Sequence, residues 1–332
     1  MTGRLRRLIS RWPFDGYSTL LIAMVLLAAV LPVRGIAATG MSWVTQAAIV
    51  LLFFLHGARL SRSAVIAGAT HWRLHLLVFA ITFALFPLIG LVLWHVPPWL
   101  LAPQLATGFL FLTLLPSTVQ SSIAFTAMAR GNVSAAVCSA AASNLLGTFI
   151  TPALVALTIG IQVHGGDTGA VVRSIMLQLL LPFVIGQLLQ PKLGAWIVAR
   201  RGLVSAVDRG SILLVVYTAF SAAVVEGLFH QVATRDLAMV ALLSAALLAL
   251  VMALSLGLSR LFGFARADEI VILFCGSKKS LASGVPMAGV LFPAAVVGTA
   301  ILPLMVFHQI QLLVCAEIAL RYGRGGEDPI AG

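Results

Sequence analysis

The chain has 332 residues, of which 61% are hydrophobic and only 9% charged, and its mean hydropathy is +1.07. Soluble domains carry about 25% charged residues, so this composition excludes a soluble globular protein and leaves an integral membrane protein surrounded by lipid. The net charge of +11 would point to nucleic acid in a soluble chain; here arginines gather in the loops on one side, and no nucleic-acid partner is implied.

Ten apolar segments follow one another at about 18–33, 43–58, 74–94, 100–129, 133–160, 170–190, 211–227, 236–259, 268–292 and 294–319. They are too long and too evenly apolar for barrel strands, which alternate lipid-facing and lumen-facing residues. The expected class is therefore an all-α membrane protein with ten transmembrane helices. The first segment is not a cleaved leader, because no small-residue cleavage site follows Leu31–Pro32 and further spans come after it. Sixteen arginines and lysines fall on the side that holds Arg4, Arg73, Arg130, Arg200, Arg266 and Arg324, against three on the other, Arg34, Arg173 and Arg235. By the positive-inside rule the first side is cytoplasmic, and an even number of spans puts both termini there. A bacterial inner membrane is the expected location.

Segments four and nine share an unusual pattern. The fourth is apolar on both sides of Pro116, Ser117, Thr118, Gln120, Ser121 and Ser122; the ninth is apolar on both sides of Gly276, Ser277, Lys278, Lys279, Ser280 and Ser283. They lie five segments apart, an odd offset that makes them cross the membrane in opposite directions. Interrupted helices at matching positions of inverted halves point to a transporter's central binding site, because unwound backbone is tolerated at membrane depth only where it lines a cavity or protein core. The expected organisation is a cytoplasmic tail over 1–17, a five-helix repeat over 18–160, an inverted one over 161–320 and a second cytoplasmic tail over 321–332.

The chain has three lysines, and Lys278 and Lys279 stand side by side in the ninth break. A lysine at a helix centre costs about 2.5–3.5 kcal/mol on insertion scales, and every carboxylate of the chain lies at or near a segment end. Bound anion, deprotonation, backbone carbonyls and water remain as ways to compensate the pair. Snorkelling to an interface is the structural alternative. Ser139, Ser143 and Asn144 in segment five, and His308 and Gln309 in segment ten, are further candidates to line the site. For each, ordinary interhelical hydrogen bonding is the competing role. Cys138, Cys275 and Cys315 lie in apolar runs without a CxxC pair, so neither metal nor redox cofactor is expected.

PSTVQSSIAFTAMARGN, FCGSKKSLASGVPM and FFLHGARLS (Phe53 to Ser61) resemble the bile acid:sodium symporter family, its SBF-like branch more than the bile-acid carriers themselves. The resemblance spans essentially the whole chain. It implies ten helices in two inverted five-helix repeats, a panel and a core domain, and broken helices four and nine crossing at mid-membrane. Where the carriers have Ser-Asn at the first break this chain has Ser121-Ser122, and where they have a sodium-binding Glu and Gln it has Phe274 and Lys278. The family's sodium sites are thus not preserved, and no metal ligand is assigned.

The expected function is secondary active transport of a small organic anion by alternating access, with sodium or protons as the candidate coupling ions. No nucleophile–base or metal-ligand constellation shares a face, so enzyme chemistry is not expected. The alternatives are a membrane sensor or assembly factor that does not transport, and a carrier acting on sodium or calcium balance.

Overall fold

The computed structural model describes residues 16–59, 71–159, 173, 176–225, 227 and 234–324. The expected tail over 1–17 lies outside them apart from Gly16 and Tyr17, as do residues 325–332 of the second tail and the connections 60–70 and 160–172.

Every regular element among the described residues is helical, as a chain in lipid requires, because a helix satisfies its backbone within the segment. The first elements are α1 (Gly16–Val30), α2 (Gly35–Arg59) and α3 (Trp72–Trp94), the last carrying a π turn at Ile81–Leu85. Then come α4 (Pro103–Leu114), α5 (Gln120–Met128), α6 (Val133–Thr158) and α7 (Met176–Ala199). The remainder are α8 (Arg201–Val225), α9 (Thr234–Leu261), α10 (Arg266–Gly276), α11 (Leu281–Leu291) and α12 (Ala294–Arg324). Seven of them, α2, α3, α6, α7, α8, α9 and α12, are long and apolar enough to cross a membrane.

Segments four and nine are each split, into α4 and α5 around residues 115–119 and into α10 and α11 around 277–280. Two expected boundaries are corrected. The stretch 191–210, read as a loop, is helical except at Arg200, and α2 starts at Gly35 instead of about residue 43. Polar and charged residues such as Lys192 and Arg201 form helix as readily as apolar ones; hydropathy marks what can enter lipid, whereas the helices run beyond it.

α2 packs most extensively on α7, and α8 lies against α1 and α2. A small apolar cluster of Leu55, Ala58, Ile197 and Val204 closes the corner between α2, α7 and α8. The α2–α7 contact is backbone on backbone: a Cβ on Gly57 would lie 2.0 Å from the Phe183 carbonyl oxygen, and one on Gly186 2.1 Å from that of Phe54. A second group of helices surrounds the two breaks, with α3, α6, α9 and α12 packed around α4, α5, α10 and α11, and α8 joins it through α11 and α12.

Polar contacts collect at two ends. At one, Arg73 donates to the Phe262 carbonyl, Asn132 to Asp268, and Arg260 to Glu269 at 3.0 Å. At the other, Arg235 donates to the Trp99 carbonyl and Tyr217 to that of Leu31. These are the same two groups of loops that the arginine counts separate.

Candidate functional site

The two breaks meet and complete each other. A helix end leaves its last carbonyls without backbone donors, and such groups cannot stay unpaired away from water. At the end of α10, Ser122 donates to the Phe274 carbonyl at 3.0 Å and Ser117 to that of Cys275 at 2.5 Å. At the end of α4, the Lys279 ammonium donates to the carbonyls of Thr113 and Leu115 at 2.8 and 2.7 Å, and Thr151 to that of Leu114. The Ser280 N–H donates to the Pro116 carbonyl at 2.9 Å, joining the breaks directly. Each broken segment thus supplies hydrogen-bond donors to the open helix end of the other, with Thr151 of α6 adding one.

Both lysines are fully buried, so neither snorkels, and among the described residues no ion pair includes either of them. They are not equivalent. Lys279 also donates to the Thr82 carbonyl at 2.8 Å and stands 4.1 Å from the centre of the Phe86 ring. Its own peptide is held at both polar atoms by Gln311, which accepts from the Lys279 N–H and donates to the Lys279 carbonyl, each at 3.0 Å. Among the described residues the Lys278 ammonium has a single hydrogen bond, to Ser121 at 3.5 Å, and otherwise faces the rings of Phe125 and Phe274 at 4.4 and 5.5 Å. Cation–π contact partly compensates a desolvated ammonium, but it leaves N–H donors of the group unused.

Beyond Lys278 runs a line of hydroxyls. Ser121 donates to Thr118, and Ser122, committed to the Phe274 carbonyl, accepts from Thr118. The direction of every bond follows from its neighbour, giving one ordered chain from the ammonium to the end of α10.

Most of the expected site residues converge here. Ser143 accepts from the Ser117 N–H, Asn144 accepts from the Ser283 hydroxyl, and Ser280 caps α11 by accepting from the Ser283 N–H. Ser277 turns back onto the Leu273 carbonyl, and His308 pairs with Gln311 at 2.8 Å. Others lie apart: Gln120 is exposed on the first turn of α5, Ser139 pairs with His75 on α3, and Gln309 is half-buried on α12 with no bond to either break. Sequence reasoning missed Gln311, Thr82 and Thr113. Gln311 follows His308 by one helical turn, the spacing that puts two residues on one face. Thr82 and Thr113 act through backbone carbonyls, which side-chain identity does not reveal.

The fold and the paired breaks define a multi-pass membrane protein of the transporter class. The sequence profile of the SBF-like CPA transporter family matches residues 15–324, and the chain belongs to that family. It is 55% identical over 317 residues to "Uncharacterized protein PA2026" of Pseudomonas aeruginosa, covering 96% of this chain and 95% of that one. It is 52% identical to "Putative symporter YfeH" of Escherichia coli K12, covering 94% of each. With the rat "Sodium/bile acid cotransporter 7" it shares 26% identity over 82% of this chain and 80% of the relative.

Proposed function

We propose that the protein is a secondary active transporter that carries a small organic anion, not an enzyme, and that Lys278 is the group that holds the anion. The observation behind this reading is the Lys278 ammonium, buried at the meeting of two broken helices with, among the described residues, one long hydrogen bond and no carboxylate partner. An ammonium in such surroundings is ready to accept a charge-assisted hydrogen bond partner. The names of the relatives, "Putative symporter YfeH" and "Sodium/bile acid cotransporter 7", support the transport reading.

In this reading the split segments cross at mid-membrane and the chain makes ten passes, as two inverted five-helix repeats. The panel is α1, α2, α7 and α8; the core is the group around the breaks, which moves against the panel through α8. Both termini are cytoplasmic, and the membrane is the bacterial inner membrane. Sodium and protons are the candidate coupling ions. The presence of Phe274 and Lys278 where the bile-acid carriers have a sodium-binding Glu and Gln, and the ordered hydroxyls leading from Lys278, favour protons.

Purified protein in proteoliposomes tests the proposal. A panel of carboxylates and sulfonates, screened first by thermal shift because ligand binding stabilises by mass action, should yield an anion that accumulates under an imposed proton gradient. If no anion stabilises the protein and none is accumulated under a proton or a sodium gradient, transport of organic anions is wrong. Accumulation driven by sodium alone would retain the transporter and discard proton coupling.

A further inference from the structure

Three backbone carbonyls converge on the Lys279 ammonium, and the fold deprives each of an ordinary partner. In the π turn of α3, the Phe86 N–H bonds to the Ile81 carbonyl, five residues back. The Thr82 carbonyl therefore loses the Phe86 N–H, and the next residue, Pro87, has none to give. At the end of α4, Pro116 again offers no N–H, and the Ser117 N–H, the normal partner of the Thr113 carbonyl, is taken by Ser143. Leu115 is extended, with ψ at 155°, which turns its carbonyl away from the helix. Gly147 of α6 admits Pro116 to this position, since a Cβ there would lie 2.5 Å from the proline ring.

Three acceptors at 2.7–2.8 Å from one nitrogen require three N–H donors. An ammonium has three; a neutral amine has two, and its lone pair would face a carbonyl oxygen. The Phe86 ring covers another side, and the carbonyl end of α4 adds the partial negative charge of a helix C-terminus. Carbonyl oxygens around a desolvated cation with no carboxylate are the ligand set of potassium-selective filters. We propose that the carbonyls of Thr82, Thr113 and Leu115, with the Phe86 face, form a binding site for a small monovalent cation of ammonium size, which the chain fills with its own Lys279 side chain. Lys279 is a tethered cation holding α3 and α4 to the ninth segment, and removing the tether opens the site to a free cation. This is independent of which solute Lys278 binds.

The test is chemical rescue of Lys279→Ala, purified in choline chloride and melted with rising ammonium, methylammonium, potassium or sodium chloride. The variant should melt below the parent, and methylammonium, ammonium and potassium should raise its midpoint saturably by on the order of 3 °C or more. Sodium, smaller than the site, should do less, and the parent, whose site is filled, should not respond. Lys279→Met keeps the apolar stem as far as the Cε position and carries no charge, so it should melt below the parent and, with the stem still in place, respond to every cation less than Lys279→Ala does. A Lys279→Ala protein that no cation stabilises, a parent that responds equally, or a Lys279→Met protein as stable as the parent would each overturn the proposal. If Lys279→Ala cannot be recovered, the comparison rests on Lys279→Met. Its melting below the parent, or its loss where Lys278→Ala is recovered, is the expected result.

Discussion

Lys278 and Lys279 are neighbours in the chain, yet one ammonium is saturated by carbonyls and the other is nearly bare. Their substitutions should therefore separate. Removing a poorly compensated buried charge seldom destabilises, so Lys278→Ala should melt close to the parent while losing anion binding. Hydrogen bonds to charged groups are worth about 1.5–3 kcal/mol, roughly ten- to a hundredfold in affinity. Lys278→Arg should restore little of it, because a planar guanidinium does not reproduce the compact point charge of an ammonium beside the Phe125 and Phe274 rings. Thermal melts and binding isotherms on the same samples check both. A Lys278→Ala protein with unchanged anion affinity would remove Lys278 from the site. Gln311→Leu leaves the N–H and the carbonyl of Lys279 buried without partners, at a cost of about 1–3 kcal/mol for each group. Its unfolding midpoint should fall by several degrees. The sequence marks the lysines as a pair to be explained. It could not tell them apart, because the difference lies in Thr82, Thr113 and Leu115, whose side chains say nothing about their carbonyls.

Among the elements, both breaks are visible in the sequence, because a proline followed by hydroxyl residues, and a lysine pair in an apolar run, cannot continue a lipid-facing helix. Their mutual completion is not visible, since it joins residues 152 to 166 positions apart. The helix ends around 191–210 are misread for a different reason: the charged residues there end the apolar run without ending the helix. Glycine spacing also hides a contact that the structure makes plain, the close approach of α2 and α7. Gly57→Val or Gly186→Val places carbon where the opposite backbone already stands. Overpacking of this kind costs about 1–3 kcal/mol and occasionally more, so both variants should give lower midpoints and a smaller monodisperse fraction on size exclusion. Gly210 on α8 has nothing within 4 Å of an added Cβ, and Gly210→Ala should be neutral or stabilising by up to about 1 kcal/mol. Equal behaviour of the two kinds of variant would show that α2 and α7 can part freely.

At the scale of the whole molecule, the separation of polar contacts into two ends matches the arginine asymmetry, and the proposed orientation, with both termini cytoplasmic, rests on the positive-inside rule. Trp99 and Arg266, both exposed and at opposite ends, provide the check. In a background with Cys138, Cys275 and Cys315 replaced, Trp99→Cys should react with an impermeant maleimide on intact cells. Arg266→Cys should react only after permeabilisation, and the reverse result would invert the topology. The mutual completion of the breaks has a further consequence for how the chain is made. When α4 and α5 leave the ribosome, the donor that will cover Thr113 and Leu115 has not been synthesised, and it follows 164 to 166 residues later. Through that interval the first broken segment enters the membrane with open carbonyls, which lipid cannot satisfy. The first broken segment is therefore expected to stay beside water or the insertion machinery until the ninth segment arrives with its donor.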